Sequence, residues 1–239
     1  MFIPSTPDRV FIDADYSQIE LRVLAHITQD KEMCDAFING TDIHSQTASQ
    51  IFGVPVEQIG ADERRVAKAV NFGIVYGISE FSLAEDIGVS RAEAKRYIET
   101  YLERFSGVRN YMKDIVARAR ADGYVTTLFG RRRYIPEISS KNFNIRSFGE
   151  RVALNAPIQG SAADIIKIAM IKVKARLEKE NVSAKLILQV HDELILEAKE
   201  SDASHAAKIL VEEMENACSL TVPLTADAGI GKTWYEAKK

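Results

Sequence analysis

The sequence predicts an α+β fold, an antiparallel-sheet domain with a helical lobe inserted into it. Three observations carry that expectation. A strand-like run lies near the start, at residues 9–14, and others lie near the end, at 185–197 and 221–228. The stretch between, roughly 30–130, has the periodicity and punctuation of helices. No internal repeat or low-complexity linker separates the two kinds of segment.

Arg9 to Ala14 is rich in β-formers and reads as a short buried strand. Ser17, with Glu20 three residues on, has the form of a capping box for a helix over 18–27. Residues 61–78 mix apolar residues with Arg and Lys as a helix does. Ser90 with Glu93 opens a second helix that runs towards Phe105. Ser106-Gly107 is expected to break the chain, 108–121 to be helical, and Asp122-Gly123 to close that helix. Residues 124–128 alternate like a strand before a turn at Phe129-Gly130. A long helical region over 146–180 is expected to be interrupted at Pro157 and Gly160. Two β-rich runs, 185–190 and 193–197, flank the polar pair His191-Asp192 and read as a hairpin. A helix over 201–217 and a last strand over 221–228 complete the expectation.

The 239 residues are 46% hydrophobic and 27% charged, with 6 Pro and 13 Gly, which excludes a disordered or fibrous chain. A net charge of −3 does not advertise a nucleic-acid binder. Binding needs only a local basic surface, however, and Arg131-Arg132-Arg133 with Lys141, Arg146 and Arg151 is one. Arg64, Arg65 and Lys68 are another. Cys34 and Cys218 are far apart and fit neither a disulfide framework nor a zinc site, so a reducing compartment is expected. No signal peptide pattern and no apolar run of about 20 residues is present, so no membrane partner and a cytoplasmic location are expected.

Three segments carry chemistry. Asp15 follows the first strand, where a rigid scaffold suits an anionic metal ligand; a helix-capping aspartate is the plain alternative. Arg64, Lys68, Phe72 and Tyr76 are spaced by four, so on a helix each step drifts only about 40° and all four share a slowly turning stripe. Two cations followed by two rings suit a polyphosphate and a stacked base or sugar. A solvated basic face running into a core face is the alternative. Gln189 to Glu193 lifts two adjacent carboxylates, Asp192 and Glu193, onto a hairpin, where like charges repel unless a cation is near. An ordinary polar turn is the alternative there. Together the segments suggest phosphoryl transfer on a nucleotide, with two carboxylates holding two Mg²⁺ ions about 3.5–4 Å apart.

DYSQIELRVLAH, RRVAKAVNFGIVYG and QVHDELILE, in that order, resemble motifs A, B and C of the family A DNA polymerases of the bacterial polymerase I type. TDIHSQTA, GRRRYIPEI and RVALNAPIQGSAADIIK resemble further segments of the same family. The resemblance runs over essentially the whole chain. It implies a right-hand fold, with palm at 1–25 and 146–239 and fingers at 26–145. By motif position it makes Asp15 and Asp192 the metal-binding carboxylates, with the Tyr16 carbonyl completing the metal shell and Glu193 an accessory carboxylate. Lys68 becomes a catalytic residue as well as a phosphate ligand, able to protonate the leaving pyrophosphate.

The resemblance also implies a dNTP site of Gln18, Glu20, His44, Arg64, Lys68, Phe72 and Tyr76. Glu20 would reject a ribose 2′-OH, and Phe72, lacking a hydroxyl, would favour discrimination against dideoxynucleotides. Arg151, Asn155, Gln159 and His191 would touch primer–template DNA, the first three from one helix face. Such contacts in the minor groove can check pair shape without reading sequence.

The implied cofactor is two Mg²⁺ ions, and the implied partners are primer–template DNA and dNTPs. Only fourteen residues precede Asp15, so the family's thumb and exonuclease regions are expected to be absent, and a separate chain supplying thumb and remaining palm strands is a further expected partner. A truncated fragment that binds DNA or nucleotide without catalysis is the main alternative. A two-metal nuclease is a weaker one, because a nuclease needs no triphosphate grip.

Overall fold

The computed structural model describes residues 2–238; Met1 and Lys239, the outer ends of the expected palm segments, lie outside the described residues. In chain order the elements begin with β1 (Arg9–Tyr16), α1 (Ile19–Thr28), α2 (Lys31–Ile38), α3 (Ile43–Phe52) and α4 (Ala61–Val75). Then come α5 (Glu80–Ile87), α6 (Arg91–Arg104), α7 (Ser106–Asp122), β2 (Tyr124–Thr126) and β3 (Arg132–Tyr134). The chain closes with α8 (Phe143–Lys179), β4 (Ala184–Val190), β5 (Glu193–Lys199), α9 (Ala203–Glu215), β6 (Ala226–Gly231) and α10 (Trp234–Ala237). The α+β expectation holds. The chain divides into two compact units, one of residues 1–19 with 162–239 and one of residues 20–161. Their junctions fall inside α1 and α8.

In the first unit the sheet order is β4-β5-β1-β6, antiparallel throughout. Successive side chains of β1 point to opposite faces. Val10, Ile12 and Ala14 face α9, and the Tyr16 hydroxyl at the end of that row donates to the Met214 carbonyl at 2.6 Å. Phe11, Asp13 and Asp15 take the other face, where Phe11 packs with Ile195, Trp234 and Ala237 of the C-terminal turn. That turn lies hard against β6. A Cβ on Gly231 would come within 2.5 Å of the Ala237 nitrogen, so only glycine admits the approach.

In the second unit α3, α4, α5, α6 and α7 pack on one another, and the β2–β3 hairpin packs on α7. Val125, Ala119, Ile135, Ile138 and Ala153 form a core cluster there. The Ser90–Glu93 capping box is present, with Ser90 Oγ accepting from the Glu93 amide at 3.2 Å.

Four local expectations are corrected. Gln18 adopts a left-handed φ of 53° and α1 begins only at Ile19, so Ser17 does not stand directly before the helix; its amide donates to the Thr225 carbonyl instead. The break near 106 falls at Phe105, and Gly107 already belongs to α7 because its amide is captured by Asp30 Oδ2 at 2.8 Å. Helix α8 runs through Pro157 and Gly160 without interruption for 37 residues. Proline deletes one backbone donor there, while buried Ala153, Leu154 and Ile158 hold the helix, and Ser161 Oγ donates to the Pro157 carbonyl at 2.5 Å. The last strand is Ala226–Gly231 rather than 221–228, set by its register against β1.

Candidate active site

The first unit concentrates acid on one face of its sheet. Asp15 is in register with Glu193 on β5 and with Asp227 on β6, and cross-strand partners share a face. The β4–β5 connection is a two-residue turn, since Val190 pairs with Glu193. Tight hairpins of this length need positive φ, ordinarily met by glycine, and His191 supplies it at φ 52°. The turn is braced by Gln189 Nε2, which donates to the His191 carbonyl at 2.6 Å. The Tyr16 amide donates to the Asp192 carbonyl at 3.2 Å, so the end of β1 and the hairpin turn are joined by backbone. Asp15 and Asp192 are thereby neighbours. Gln18, two residues past Tyr16, holds the left-handed turn into α1.

Burial, and then the charges of Asp192, Glu193 and Asp13, push the Asp15 carboxyl up to about 6. Burial likewise raises Asp13, which is 5% exposed and accepts from Trp234 Nε1 at 2.7 Å. Lys238 donates to Glu193 Oε1, and the Glu193 carboxylate holds the ammonium above its usual range. Glu193 Oε2 is buried with no hydrogen-bond partner. A cavity of about 320 Å³ is lined by Asp13, Asp15, Tyr16, Glu193, Asp227 and Lys238.

These are hard oxygen donors crowded enough to raise a pKa, the donor chemistry that a divalent cation relieves. Among the described residues no three His, Cys, Asp or Glu side chains converge as a closed metal cage. Mg²⁺ asks for no such cage; it is ordinarily held by one or two carboxylates, with waters and substrate phosphates completing the shell. Asp13, Asp227 and Lys238 were missed from sequence. The Asp-Ala-Asp spacing of 13–15 signals that Asp13 shares Asp15's face, whereas Asp227 and Lys238 reach it only through sheet register and the C-terminal turn.

The second unit gathers the cationic and aromatic residues. Lys68, Phe72 and Tyr76 line a cavity of about 940 Å³ together with Arg65, Arg151 and Leu154. Phe72 and Tyr76 are stacked with centroids 6.4 Å apart, and His44 lies 5.8 Å from Phe72. The Tyr76 hydroxyl donates to Glu20 Oε2 at 2.8 Å, which brings together two residues expected at one nucleotide site. Arg64 does not line that cavity. Its guanidinium forks onto Asp42, at 2.6 Å from Nε to Oδ2 and 3.3 Å from Nη2 to Oδ1.

Burial pushes the Asp42 carboxyl up, but the hydrogen bonds from Arg64 and Ser45 outweigh it and hold the group at about 2. His44 is 1% exposed, and burial lowers it to about 4, opposed by the charge of Asp42 and helped by those of Arg64 and Lys68. Arg151 and Gln159 are exposed on α8. Asn155, between them, has a buried Oδ1 with no hydrogen-bond partner. Gln159 borders a separate cavity of about 160 Å³ with Arg131 and Arg133.

The model of DNA polymerase family A matches residues 1–236. The chain belongs to DNA polymerase family A. Among related proteins of this polymerase family, DNA polymerase I of Geobacillus stearothermophilus is 56% identical over 237 residues, covering 99% of this chain and 27% of that protein. DNA polymerase I of Bacillus subtilis is 54% identical over 237 residues, with the same shares. The chain therefore spans about a quarter of the length of these curated relatives. A solved structure of the POL domain of Pol1 from M. smegmatis, in complex with DNA primer-template and dNTP, superposes with a TM-score of 0.95 at 44% identity. The match covers 99% of this family A chain and 42% of the other.

Proposed function

We propose that this chain carries the palm and fingers of a template-directed DNA polymerase, a nucleotidyltransferase that joins a dNTP to a primer 3′-OH. The observation that carries the reading is the Tyr16–Asp192 backbone bond, which sets Asp15 beside Asp192 at the edge of an acidic sheet face. Family A membership and the likeness to a POL domain solved with primer-template and dNTP support it. In this reading 1–25 and 146–239 serve as palm and 26–145 as fingers. The partners in this reading are primer–template DNA and dNTPs.

Asp15, Asp192 and the Tyr16 carbonyl would hold divalent cations, two Mg²⁺ ions, with Glu193 as an accessory carboxylate. When bound, the ions neutralise charge that develops on the phosphate oxygens. The chain's own groups position and protonate. Lys68 and Arg64 bind the triphosphate, Arg64 exchanging its Asp42 fork for phosphate oxygens, and Lys68 hands a proton to the departing pyrophosphate. His44 makes a further phosphate contact.

Phe72 and Tyr76 pack on sugar and base, and Glu20 occupies the place of a ribose 2′-OH with Gln18 beside it. Arg151, Asn155, Gln159 and His191 contact the duplex near the primer terminus. The rate enhancement would come from positioning and preorganised charge. No helix among the described residues is long and apolar enough to cross a membrane, and a cytoplasmic site of action is part of the same proposal.

The test is extension of a recessed primer by this chain with four dNTPs and Mg²⁺, beside Asp192→Ala. Extension by the parent and none by the variant supports the reading. No extension by either, from chains with an intact melting transition, favours a fragment that binds nucleotide or DNA without catalysing.

A further inference from the structure

Thr47, Asn71 and His44 form a line of three side chains almost wholly withdrawn from solvent, at 0%, 0% and 1% exposure. Thr47 on α3 donates its hydroxyl to Asn71 Oδ1 at 3.1 Å, and Asn71 on α4 places Nδ2 3.0 Å from His44 Nδ1. Polar groups are seldom buried to this degree without a partner, and here each has one.

The chemistry of the amide decides what the imidazole can be. Nδ2 carries two hydrogens and has no lone pair to offer, so the ring nitrogen facing it must be bare. A neutral imidazole with a bare Nδ1 carries its only proton on Nε2. The opposite amide orientation would place Oδ1 against the ring and demand Nδ1–H, leaving Nε2 as an acceptor. The structure has the first orientation, with Oδ1 towards the Thr47 hydroxyl at 3.1 Å and Nδ2 towards the ring at 3.0 Å.

We propose that Thr47 and Asn71 are positioning residues that fix His44 in its Nε2–H tautomer, so that a buried, uncharged ring donates a hydrogen bond to the phosphates of the incoming nucleotide. The inference rests on the phosphate role given to His44 above and goes beyond it by naming the residues that set the donor. Imidazoles are commonly held in one tautomer by the partner of their second nitrogen, and the arrangement resembles that wiring. Nearby positive charge belongs to the same corner of the unit, because both Arg64 and Lys68 act electrostatically on His44. The Asp42 carboxylate opposes them and occupies Arg64, so an anion that takes its place on Arg64 meets two cations and one neutral donor. A bare Nε2 would instead turn a lone pair towards it. Burial keeps the ring uncharged near neutrality, so the donor would not vary with pH in that range.

The test uses the chain labelled with ¹⁵N-histidine. It has 4 histidines, and the His44 signals are identified by their loss in His44→Gln. Two-bond proton–nitrogen spectra near neutral pH are expected to show a bare Nδ1 and a protonated Nε2 for His44. Thr47→Val, which frees the amide to turn, should shift the ring towards Nδ1–H, and Thr47→Ser should restore Nε2–H.

Titration with dATP should show a loss of about fivefold in both Thr47→Val and His44→Gln, the scale of one hydrogen bond. The double variant should lose no more than His44→Gln alone, as expected for residues acting through one ring. A protonated Nδ1 in the parent overturns the proposal, as does a Thr47→Val chain with unchanged tautomer and affinity. If His44→Gln binds dATP as well as the parent, the phosphate contact itself fails, and the spectrum still reports separately whether the tautomer is set by Asn71. Should Thr47→Val not fold, the parent spectrum and Thr47→Ala decide.

Discussion

Asp15 on the central strand lies directly opposite Glu193 on one neighbouring strand and Asp227 on the other, so three carboxylates cross the sheet in a row. Its carboxyl is pushed up to about 6 from an ordinary 3.8. Between those values the folded chain holds a proton that the unfolded chain releases. Ionisation of Asp15 therefore works against the fold as pH rises through about 6, and the contribution is favourable only at lower pH. Asp15→Asn is expected to raise the melting temperature near pH 7 by roughly 2–4 °C, the shift that about 1 kcal/mol produces in a chain of this size. The gain should fade towards pH 4, while primer extension is lost. A melting temperature that falls at pH 7 would show that Asp15 is not electrostatically crowded.

Asp42 behaves in the opposite sense. It caps α3, accepting from the His44 and Ser45 amides, and receives the Arg64 fork. With the folded group at about 2 against 3.8 unfolded, its stabilisation is full above about pH 4 and is lost as pH falls towards 2. Asp42→Ala should cost about 1 kcal/mol at pH 7 from the cap alone. Urea melts at pH 7 and pH 3 should show the difference between the two chains shrinking with acid.

The Phe72 ring has His44 and Tyr76 as aromatic neighbours and lines the larger cavity. Phe72→Tyr adds a hydroxyl where the sugar is proposed to pack, and it should relax discrimination against dideoxynucleotides by roughly five- to tenfold, the ratio that one added hydrogen bond of about 1–1.4 kcal/mol allows. Competitive incorporation of ddNTP and dNTP by a chain complemented to full activity measures it, and an unchanged ratio would count against the placement of Phe72.

Gly77 ends the α4 segment at φ +68°, and a Cβ there would stand 3.1 Å from both Arg151 Cγ and Leu154 Cδ1. Gly77→Ala should destabilise by about 1–2 kcal/mol through left-handed strain, before any crowding of those two side chains. Thermal melts check the stability, and dATP affinity should fall with it, because Tyr76 and Arg151 share the cavity wall at this turn.

The sequence revealed what short-range chemistry determines. β-Formers ahead of Asp15, the two-residue break at His191-Asp192 and the Ser90–Glu93 box were all legible, because each depends on residues within a few positions. What escaped depends on partners far along the chain. Gly107 reads as a helix breaker until Asp30 captures its amide. Pro157 reads as an interruption until burial around Ala153 and Ile158 holds the helix through it. In the site, the four-residue spacing brought Lys68, Phe72 and Tyr76 to one cavity, but nothing in it reveals that Arg64 turns to Asp42. Lys238 meets Glu193 only because the C-terminal turn folds back on β6.

Strand β4 is an edge of the main sheet, and its pairing with β5 slips by one residue between Leu186 and Leu188, leaving Ile187 at 47% and Leu188 at 43% exposure. An open, apolar edge is a template on which a second copy can lay its own strand and begin a fibril or an amorphous aggregate. The slip counters this, because a bulge twists the edge and spoils the straight run of donors and acceptors that self-pairing needs. Deleting Ile187 would straighten the edge, so the irregularity bears on colloidal behaviour: it opposes strand-on-strand association where Ile187 and Leu188 stand open to solvent.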